Sequence, residues 1–186
     1  MTRIEELLQA YDDLLGQPWP EHLSGGEKVW FAVYEPAQER RLLLRLPDFE
    51  TATLKAGHGW QQLDLAPLFA EWMGAHRYRE AYFSDPEALG SALPVFCTSV
   101  ADRVRALLKE PQSDETTVVA LTGAGTLYGL IRVSEVLEQV IGDIRGRLLV
   151  FFPGHYEKAQ YRLLKAHPDW NYLAVPIVAR NGEPKP

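Results

Sequence analysis

Cysteine is almost absent from this sequence, since Cys97 is the only one among 186 residues. A single cysteine cannot form a disulfide within the chain and cannot build a cysteine-rich zinc site. Cys97 lies in the apolar segment Pro94-Val-Phe-Cys-Thr98, so we expect a buried, unreactive thiol rather than a nucleophile. The histidines also lack the His-Glu-x-x-His and His-x3-His spacings of metal sites. We therefore expect neither a metal nor a cofactor.

Two further absences concern the setting of the protein. No apolar run approaches the roughly 18 residues of a membrane span, and the amino terminus lacks the apolar core of a signal peptide. The expected location is therefore the cytoplasm. An excess of positive charge is also missing, because the formal net charge is −6. We therefore expect no direct nucleic-acid binding and no membrane association.

The phosphate-binding motifs of nucleotide enzymes are missing as well. Residues 118–126 read Val-Val-Ala-Leu-Thr-Gly-Ala-Gly-Thr, an apolar strand that ends in a Gly-x-Gly turn. Such a turn at the carboxyl end of a parallel strand often serves a ligand. A P-loop, however, needs a lysine in this turn, and a dinucleotide fingerprint needs a third glycine where this chain has Tyr128. The segment has nucleotide-type architecture without nucleotide-type residues.

What the chain does contain is an alternation of strand and helix patterns. The fold class we predict is α/β, with a small parallel sheet of about four strands flanked by helices. A degenerate P-loop or RecA-like topology is compatible with this pattern. The sheet should include residues 118–121, 148–152 and 172–177. We expect one α/β domain over residues 1–178, with an N-terminal helix at 1–16, and a disordered tail at 179–186.

Two helix predictions bear on the site. An apolar stripe of period 3.6 predicts one helix over residues 127–144, on one face of the sheet. Pro47 is expected to separate a helix at 36–46 from a second one at 49–55. The first of these should have a solvated face formed by Glu39, Arg40, Arg41 and Arg45.

The Gly-x-Gly turn supplies the first candidate site. The backbone N–H groups of Gly123, Gly125 and Thr126 can form an anion-binding nest at a helix start. The alternative is a tight turn in which Thr126 caps the helix. Arg132 is the only charged residue between Thr126 and Glu135. It either binds an anion or a partner carboxylate, or lies in solvent with its stem packed on the sheet.

The second candidate follows the apolar strand at 148–152, which Pro153-Gly154 is expected to close. His155-Tyr156-Glu157 contains the His-x-Glu of zinc deaminases but not the Pro-Cys-x-x-Cys that must accompany it. We interpret it as a surface loop that contacts a partner, followed by a short helix near 160–165.

Both candidates follow predicted parallel strands, so both should emerge at the same carboxyl edge of the sheet. That edge would present Tyr128, Arg132 and Tyr156 together. Tyrosine and arginine commonly anchor interfaces, which favours partner docking there. Trp19 lies between two prolines and is the tryptophan that we expect to be exposed for a partner.

These segments resemble a known family. Residues 121–132, Leu-Thr-Gly-Ala-Gly-Thr-Leu-Tyr-Gly-Leu-Ile-Arg, are similar to a Leu-Thr-Gly-x-Gly-Ser/Thr-x-Tyr/Phe-x-Phe-x-Arg segment of BrxB, a small component of bacterial BREX phage-defence systems. Residues 149–157 look like its Val-x-Phe-Phe-Pro-Gly-Glu-Tyr segment, although His155 stands at the glutamate position. Residues 171–174, Asn-Tyr-Leu-Ala, match the pattern that closes that domain.

The resemblance implies a non-catalytic accessory or adaptor subunit of a BREX anti-phage complex, acting through protein–protein contacts. The partners it implies are a PglZ-like protein of the phosphatase superfamily and a BrxC-like ATPase. Two other classes stay open on the residues alone. One is a degenerate nucleotide- or anion-binding regulatory domain. The other is a small transferase or hydrolase that uses His155 and Arg132.

Overall fold

The protein is a layered α/β structure, seen in a computed structural model that describes residues 1–164 and 174–179. Its strands are β1 Val29–Tyr34, β2 Gly59–Asp64, β3 Thr117–Thr122, β4 Arg147–Glu157, β5 Gln160–Leu163 and β6 Val175–Ile177. Its α-helices are α1 Arg3–Leu15, α2 Glu39–Lys55, α3 Leu68–Ala75, α4 Arg79–Ser84, α5 Leu93–Leu108 and α6 Val133–Val140. The predicted α/β class is confirmed.

The sheet has the order β2-β3-β4-β1-β6, and each neighbouring pair in this order is parallel. β5 lies off this path and pairs antiparallel with β4. The parallel sheet predicted from 118–121, 148–152 and 172–177 is therefore confirmed within the described residues. With 6 strands the sheet is larger than the four or so predicted, and one of the additional strands, β5, lies in a segment that was expected to be helical.

Successive side chains of each strand point to opposite faces of the sheet, so the core is divided between the two faces. In β4, Leu148 and Val150 face one side, whereas Leu149 and Phe151 face the other, and all four are buried. Helices α5 and α6 cover the first face, and α1 and α2 cover the second. Burial on both faces explains why the strand segments are apolar throughout.

Helix α2 runs unbroken through Pro47, so the break expected there is wrong. Proline removes one hydrogen bond within a helix, but the buried Leu42 and Phe49 hold the two halves against the sheet. Thr53 adds a polar anchor. Its hydroxyl donates to the Phe49 carbonyl (2.7 Å) and accepts from the Tyr11 hydroxyl of α1 (2.6 Å).

The single helix expected at 127–144 is also wrong, because α6 spans only Val133–Val140. A 3-10 turn, Ala124–Leu127, comes first. Gly129 then has a left-handed φ of +78°, and Arg132 is extended and forms the N-cap of α6. The apolar stripe is nevertheless buried against the sheet, so its periodicity reports burial rather than a continuous helix.

Strand β4 does not close at Pro153-Gly154 but continues to Glu157 and turns back into β5. The loop expected at 155–157 and the short helix expected near 160–165 are therefore wrong, as far as the structure describes that range. The turn residues Lys158 and Ala159 have φ values of +51° and +62°. Two-residue hairpin turns require such values but usually place Asn-Gly or Asp-Gly there, so the sequence carries no hairpin signal.

Residues 165–173 and 180–186 lie outside the described residues. The first two residues of the predicted strand at 172–177 and almost all of the predicted tail at 179–186 fall there. Within the described ranges, no helix is long and apolar enough to cross a membrane.

Candidate functional site at the carboxyl edge of the sheet

At the carboxyl edge of the sheet, the connections that follow two of the strands lead to opposite faces of the sheet. After β1 it turns into α2, which packs on one face, whereas after β3 it leads to α6, which packs on the other. β4 lies between these strands and continues past the edge into the β4–β5 hairpin. In open α/β sheets, ligands bind in the crevice where the connections diverge in this way. This crevice is the candidate functional site.

A cleft of about 300 Å³ lies at this point of divergence. The loop after β1, the turn after β3 and the hairpin supply its lining, which consists of Pro36, Glu39, Gly123, Gly125, Thr126, Pro153 and Leu164. Three predicted site residues, Gly123, Gly125 and Thr126, therefore share one cleft. The other four, Tyr128, Arg132, His155 and Tyr156, are not among its lining residues.

Close packing explains the glycines of the turn. Gly123 has a φ of +75°, and a Cβ there would lie 2.6 Å from Asp64 Oδ1 and 2.7 Å from the nitrogen of Ala66. A Cβ at Gly125 would lie 3.1 Å from Pro153 Cγ. Asp64 also accepts a hydrogen bond from the Ala66 N–H (3.0 Å), which fixes the loop after β2 beneath the turn. Glycine is needed at position 123 whether or not a ligand binds, whereas a Cβ at position 125 would require the Pro153 ring to shift by a few tenths of an ångström.

Thr126 does not cap α6, which was the alternative to an anion-binding nest. Its hydroxyl and its N–H both donate to the Gly123 carbonyl, at 2.7 and 3.0 Å. It belongs to the isolated 3-10 turn Ala124–Leu127 rather than to α6. A turn this short supplies little of the aligned dipole on which anion binding at a helix start depends.

The cleft contains the carboxylate of Glu39, which was expected on a solvated helix face. Glu39 lines the cleft and accepts a hydrogen bond from the Tyr34 hydroxyl. Burial and the neighbouring carboxylate raise the pKa of Tyr34 far above its ordinary value, so the hydroxyl stays protonated. A carboxylate here repels phosphate groups. The signal for Glu39 was its place just after a parallel strand, which is the same signal that identified Gly123.

Tyr128 and Arg132 lie on the connection that leads from the turn to α6. Both side chains are exposed, Tyr128 by 47%. The Arg132 N–H donates to the Glu135 carboxylate (3.3 Å), which fixes the backbone of this connection at the start of α6. The two predicted interface residues therefore reach the surface from a structured segment.

The β4–β5 hairpin has one polar and one aromatic face. His155 pairs across the strands with Arg162, and these residues line an exposed polar cleft of about 400 Å³. On the other face, Tyr156 is half-buried and its ring centroid lies 4.7 Å from that of Tyr161. Arg132 is not among the described residues that line the His155 cleft. Joint catalysis by His155 and Arg132 therefore gains no support from this cleft.

Trp19 is half-buried rather than exposed, so its expected role as a partner anchor is corrected. Its ring stacks on His58 with centroids 3.7 Å apart, and the Arg147 guanidinium lies 4.7 Å from its ring centroid. Arg147 is only 4% exposed, and its burial lowers the pKa of the guanidinium. Because Arg147 begins β4, this cluster lies at the amino edge of the sheet, opposite the candidate site.

Cys97 is buried in α5, as expected, and burial raises the pKa of its thiol. In residues 1–164 and 174–179, no group of three or more His, Cys, Asp or Glu side chains is placed to hold a metal ion.

Comparison with protein families matches residues 85–177, half of the chain, to the family model described as "BREX protein BrxB". The matched range includes the turn after β3, α6 and the β4–β5 hairpin. It leaves out α1, β1, α2 and β2, and with them Glu39 of the cleft. No curated protein and no solved structure matches the chain.

Proposed function

The chain belongs to the BrxB family, and on this basis we propose that it is a non-catalytic adaptor subunit of a BREX anti-phage defence complex. Family membership suggests a BREX component. The adaptor role is our inference from the candidate site. In this role the protein works through protein–protein contacts in the cytoplasm and has no direct contact with nucleic acid.

The observation that carries the proposal is the set of residues that line the cleft at the carboxyl edge of the sheet. Packing against Asp64, Ala66 and Pro153 accounts for Gly123 and Gly125. The cleft presents the carboxylate of Glu39, which repels phosphate groups, and the turn after β3 lacks the lysine of a P-loop. These features support a fold of nucleotide-binding type that serves as a scaffold for contacts.

The surface proposed to dock the partner is formed by Tyr128, Arg132 and the exposed face of the hairpin at His155. All three lie within the residues that match the family, and all three are exposed. Tyrosine and arginine give large contact areas with polar ends, which suits an interface anchor. The partners proposed from the family resemblance are a PglZ-like phosphatase-superfamily protein and a BrxC-like ATPase.

The test is reconstitution with each proposed partner. The chain is expressed with the PglZ-like protein or with the BrxC-like ATPase of the same system and passed over a sizing column. We expect co-elution with at least one of them at micromolar concentration. Elution of the chain alone from both mixtures would contradict the adaptor role.

One observation favours a second candidate, a degenerate nucleotide- or anion-binding regulatory domain. The cleft lies at the topological switch point, which is the usual ligand position in open α/β sheets. Calorimetry with ATP, GTP and S-adenosylmethionine separates the two functions, because the adaptor binds none of them in the cleft.

A further inference from the structure

The outer face of α2 is apolar. Leu43, Leu44 and Leu54 are exposed by 46%, 73% and 55%, and Pro47 is exposed between them. At 3.6 residues per turn, these four side chains fall within an arc of about 100°, which they share with the exposed Arg40 and Thr51. That arc lies away from the buried side of the helix. A helix at the surface of a soluble protein normally carries polar residues there.

The apolar stripe is long enough to receive a partner helix. From Leu43 to Leu54 it extends roughly 16 Å along the axis, which is about three helical turns. Contiguous exposed apolar side chains with a polar rim commonly mark a protein interaction site. An amphipathic helix binds such a surface by laying its apolar face against it.

The charges at the amino end of the stripe indicate the chemistry of the partner. Arg40 and Arg41 are exposed there, and neither forms an ion pair within the described part of the chain. The nearby Glu39 accepts from Tyr34, and Asp48 pairs with Arg45 at 2.9 Å. The amino end of the stripe is therefore basic on a chain of net charge −6, whereas Glu50 is exposed beside the stripe nearer Leu54. A partner with carboxylates at the matching end complements the basic end.

A second copy of the chain fits this surface poorly. Two-fold symmetric pairing brings the same patch of both copies together. If the helices run antiparallel about Pro47, Arg40 lies opposite Leu54 and Lys55 of the other copy. If they run parallel, Arg40 lies opposite Arg40. The parallel arrangement places cations beside cations, and the antiparallel one places Arg40 opposite the apolar Leu54 rather than a carboxylate, so neither complements the basic end of the stripe.

We propose that the α2 outer face, defined as Arg40, Arg41, Leu43, Leu44, Pro47 and Leu54, docks an amphipathic helix of another protein. That helix is apolar along one side and acidic at the end that meets Arg40 and Arg41. The α2 outer face lies outside the family-matched residues 85–177. Because α2 and α6 cover opposite faces of the sheet, this docking surface is separate from the one at Tyr128 and Arg132, and the proposal does not depend on that function.

Site-specific photo-crosslinking in cells that carry the complete system tests the proposal. A benzophenone amino acid replaces Leu44 or Leu54, and the crosslinked peptides are identified by mass spectrometry. Glu87, which is exposed and lies in the turn Pro86–Ser91, is the control position. We expect crosslinks from 44 and 54, but not from 87, to a segment of another protein whose apolar residues are flanked by Asp or Glu.

Charge reversal tests the complementarity. Arg40→Glu with Arg41→Glu should reduce the Leu54 crosslink at least ten-fold. Arg77→Glu with Arg79→Glu, an equal charge change on exposed residues of another segment, should leave it intact. Leu44→Ser should also reduce the Leu54 crosslink, which keeps the test decisive if charge reversal lowers the melting temperature.

Crosslinks to a second copy of the chain, to lipid only, to a segment without acidic flanks, or to nothing would overturn the proposal. So would an undiminished crosslink after charge reversal. Arg132→Glu should leave the Leu54 crosslink unchanged. This variant therefore distinguishes a failure of the docking surface at the carboxyl edge from a failure of the α2 outer face.

Discussion

Gly125 lies against Pro153, so that a Cβ at position 125 would be 3.1 Å from Pro153 Cγ. In a dinucleotide-binding turn, the second glycine lets the backbone approach the pyrophosphate. Here the proline ring occupies the space beside that glycine. The contact joins the turn after β3 to β4 at the carboxyl edge, and it makes the turn part of the packing of the protein.

The first prediction concerns nucleotides. The turn lacks the phosphate-binding lysine, and Glu39 places a carboxylate in the cleft. We therefore expect no saturable binding of ATP by calorimetry at millimolar concentration and no ATP hydrolysis. The control is Glu39→Gln, which should remain folded and also bind no ATP. Saturable binding by the wild-type protein would remove the adaptor interpretation of the cleft.

The second prediction compares two glycines with the same backbone conformation. Gly129 has a φ of +78°, and a Cβ added there would meet nothing within 4 Å, so Gly129→Ala should cost only the left-handed strain of about 1 kcal/mol. Gly123→Ala adds a collision with Ala66 N and Asp64 Oδ1. It should cost at least about 2 kcal/mol more. Urea unfolding measures both, and equal losses would contradict the packing role of Gly123.

The third prediction concerns the cover of the buried Arg147. Trp19→Ala should cost roughly 2 kcal/mol of unfolding free energy, because the guanidinium loses its ring contact and the core beneath is exposed. Trp19→Phe should cost less, since it keeps a ring, and the buried Trp19 Nε1 has no hydrogen-bond partner to lose among the described residues. A wild-type melting curve for Trp19→Ala would show that the ring does not protect Arg147.

The fourth prediction concerns the contact between α1 and α2. Tyr11 is buried and its hydroxyl donates to Thr53, so Tyr11→Phe should destabilise the protein by about 1 kcal/mol. Tyr128→Phe removes an exposed hydroxyl and serves as the matched control, with no measurable loss expected. Equal denaturation midpoints for the two variants would argue against a stabilising Tyr11–Thr53 bond.

The parallel sheet could be predicted because strands buried on both faces are apolar throughout. β3 and β4 were identified from that pattern, and their parallel pairing followed from the alternation with helices. The extent of α6 could not be predicted in the same way. Leu127 and Ile131 are buried like residues of α6, yet Gly129 breaks the helix between them. Periodicity alone does not reveal a left-handed residue inside an apolar stripe.

The candidate site was predicted in part, for an equally physical reason. Gly123, Gly125 and Thr126 were found because they follow an unmistakable strand. Glu39 was assigned to solvent, since nothing local shows that the Tyr34 hydroxyl lies beside it. The hairpin was missed because Lys158 and Ala159 adopt left-handed φ values without the residues that usually signal them.

The most direct test of the adaptor role measures the affinity of the co-eluting partner for the wild-type protein and for Arg132→Glu. If the adaptor role is correct, the variant should melt like the wild type and bind the partner roughly 30-fold more weakly, a loss of about 2 kcal/mol in binding free energy. Arg77→Glu, a charge reversal on another exposed arginine, should bind like the wild type. Equal affinities for wild type and Arg132→Glu would contradict docking at the carboxyl edge.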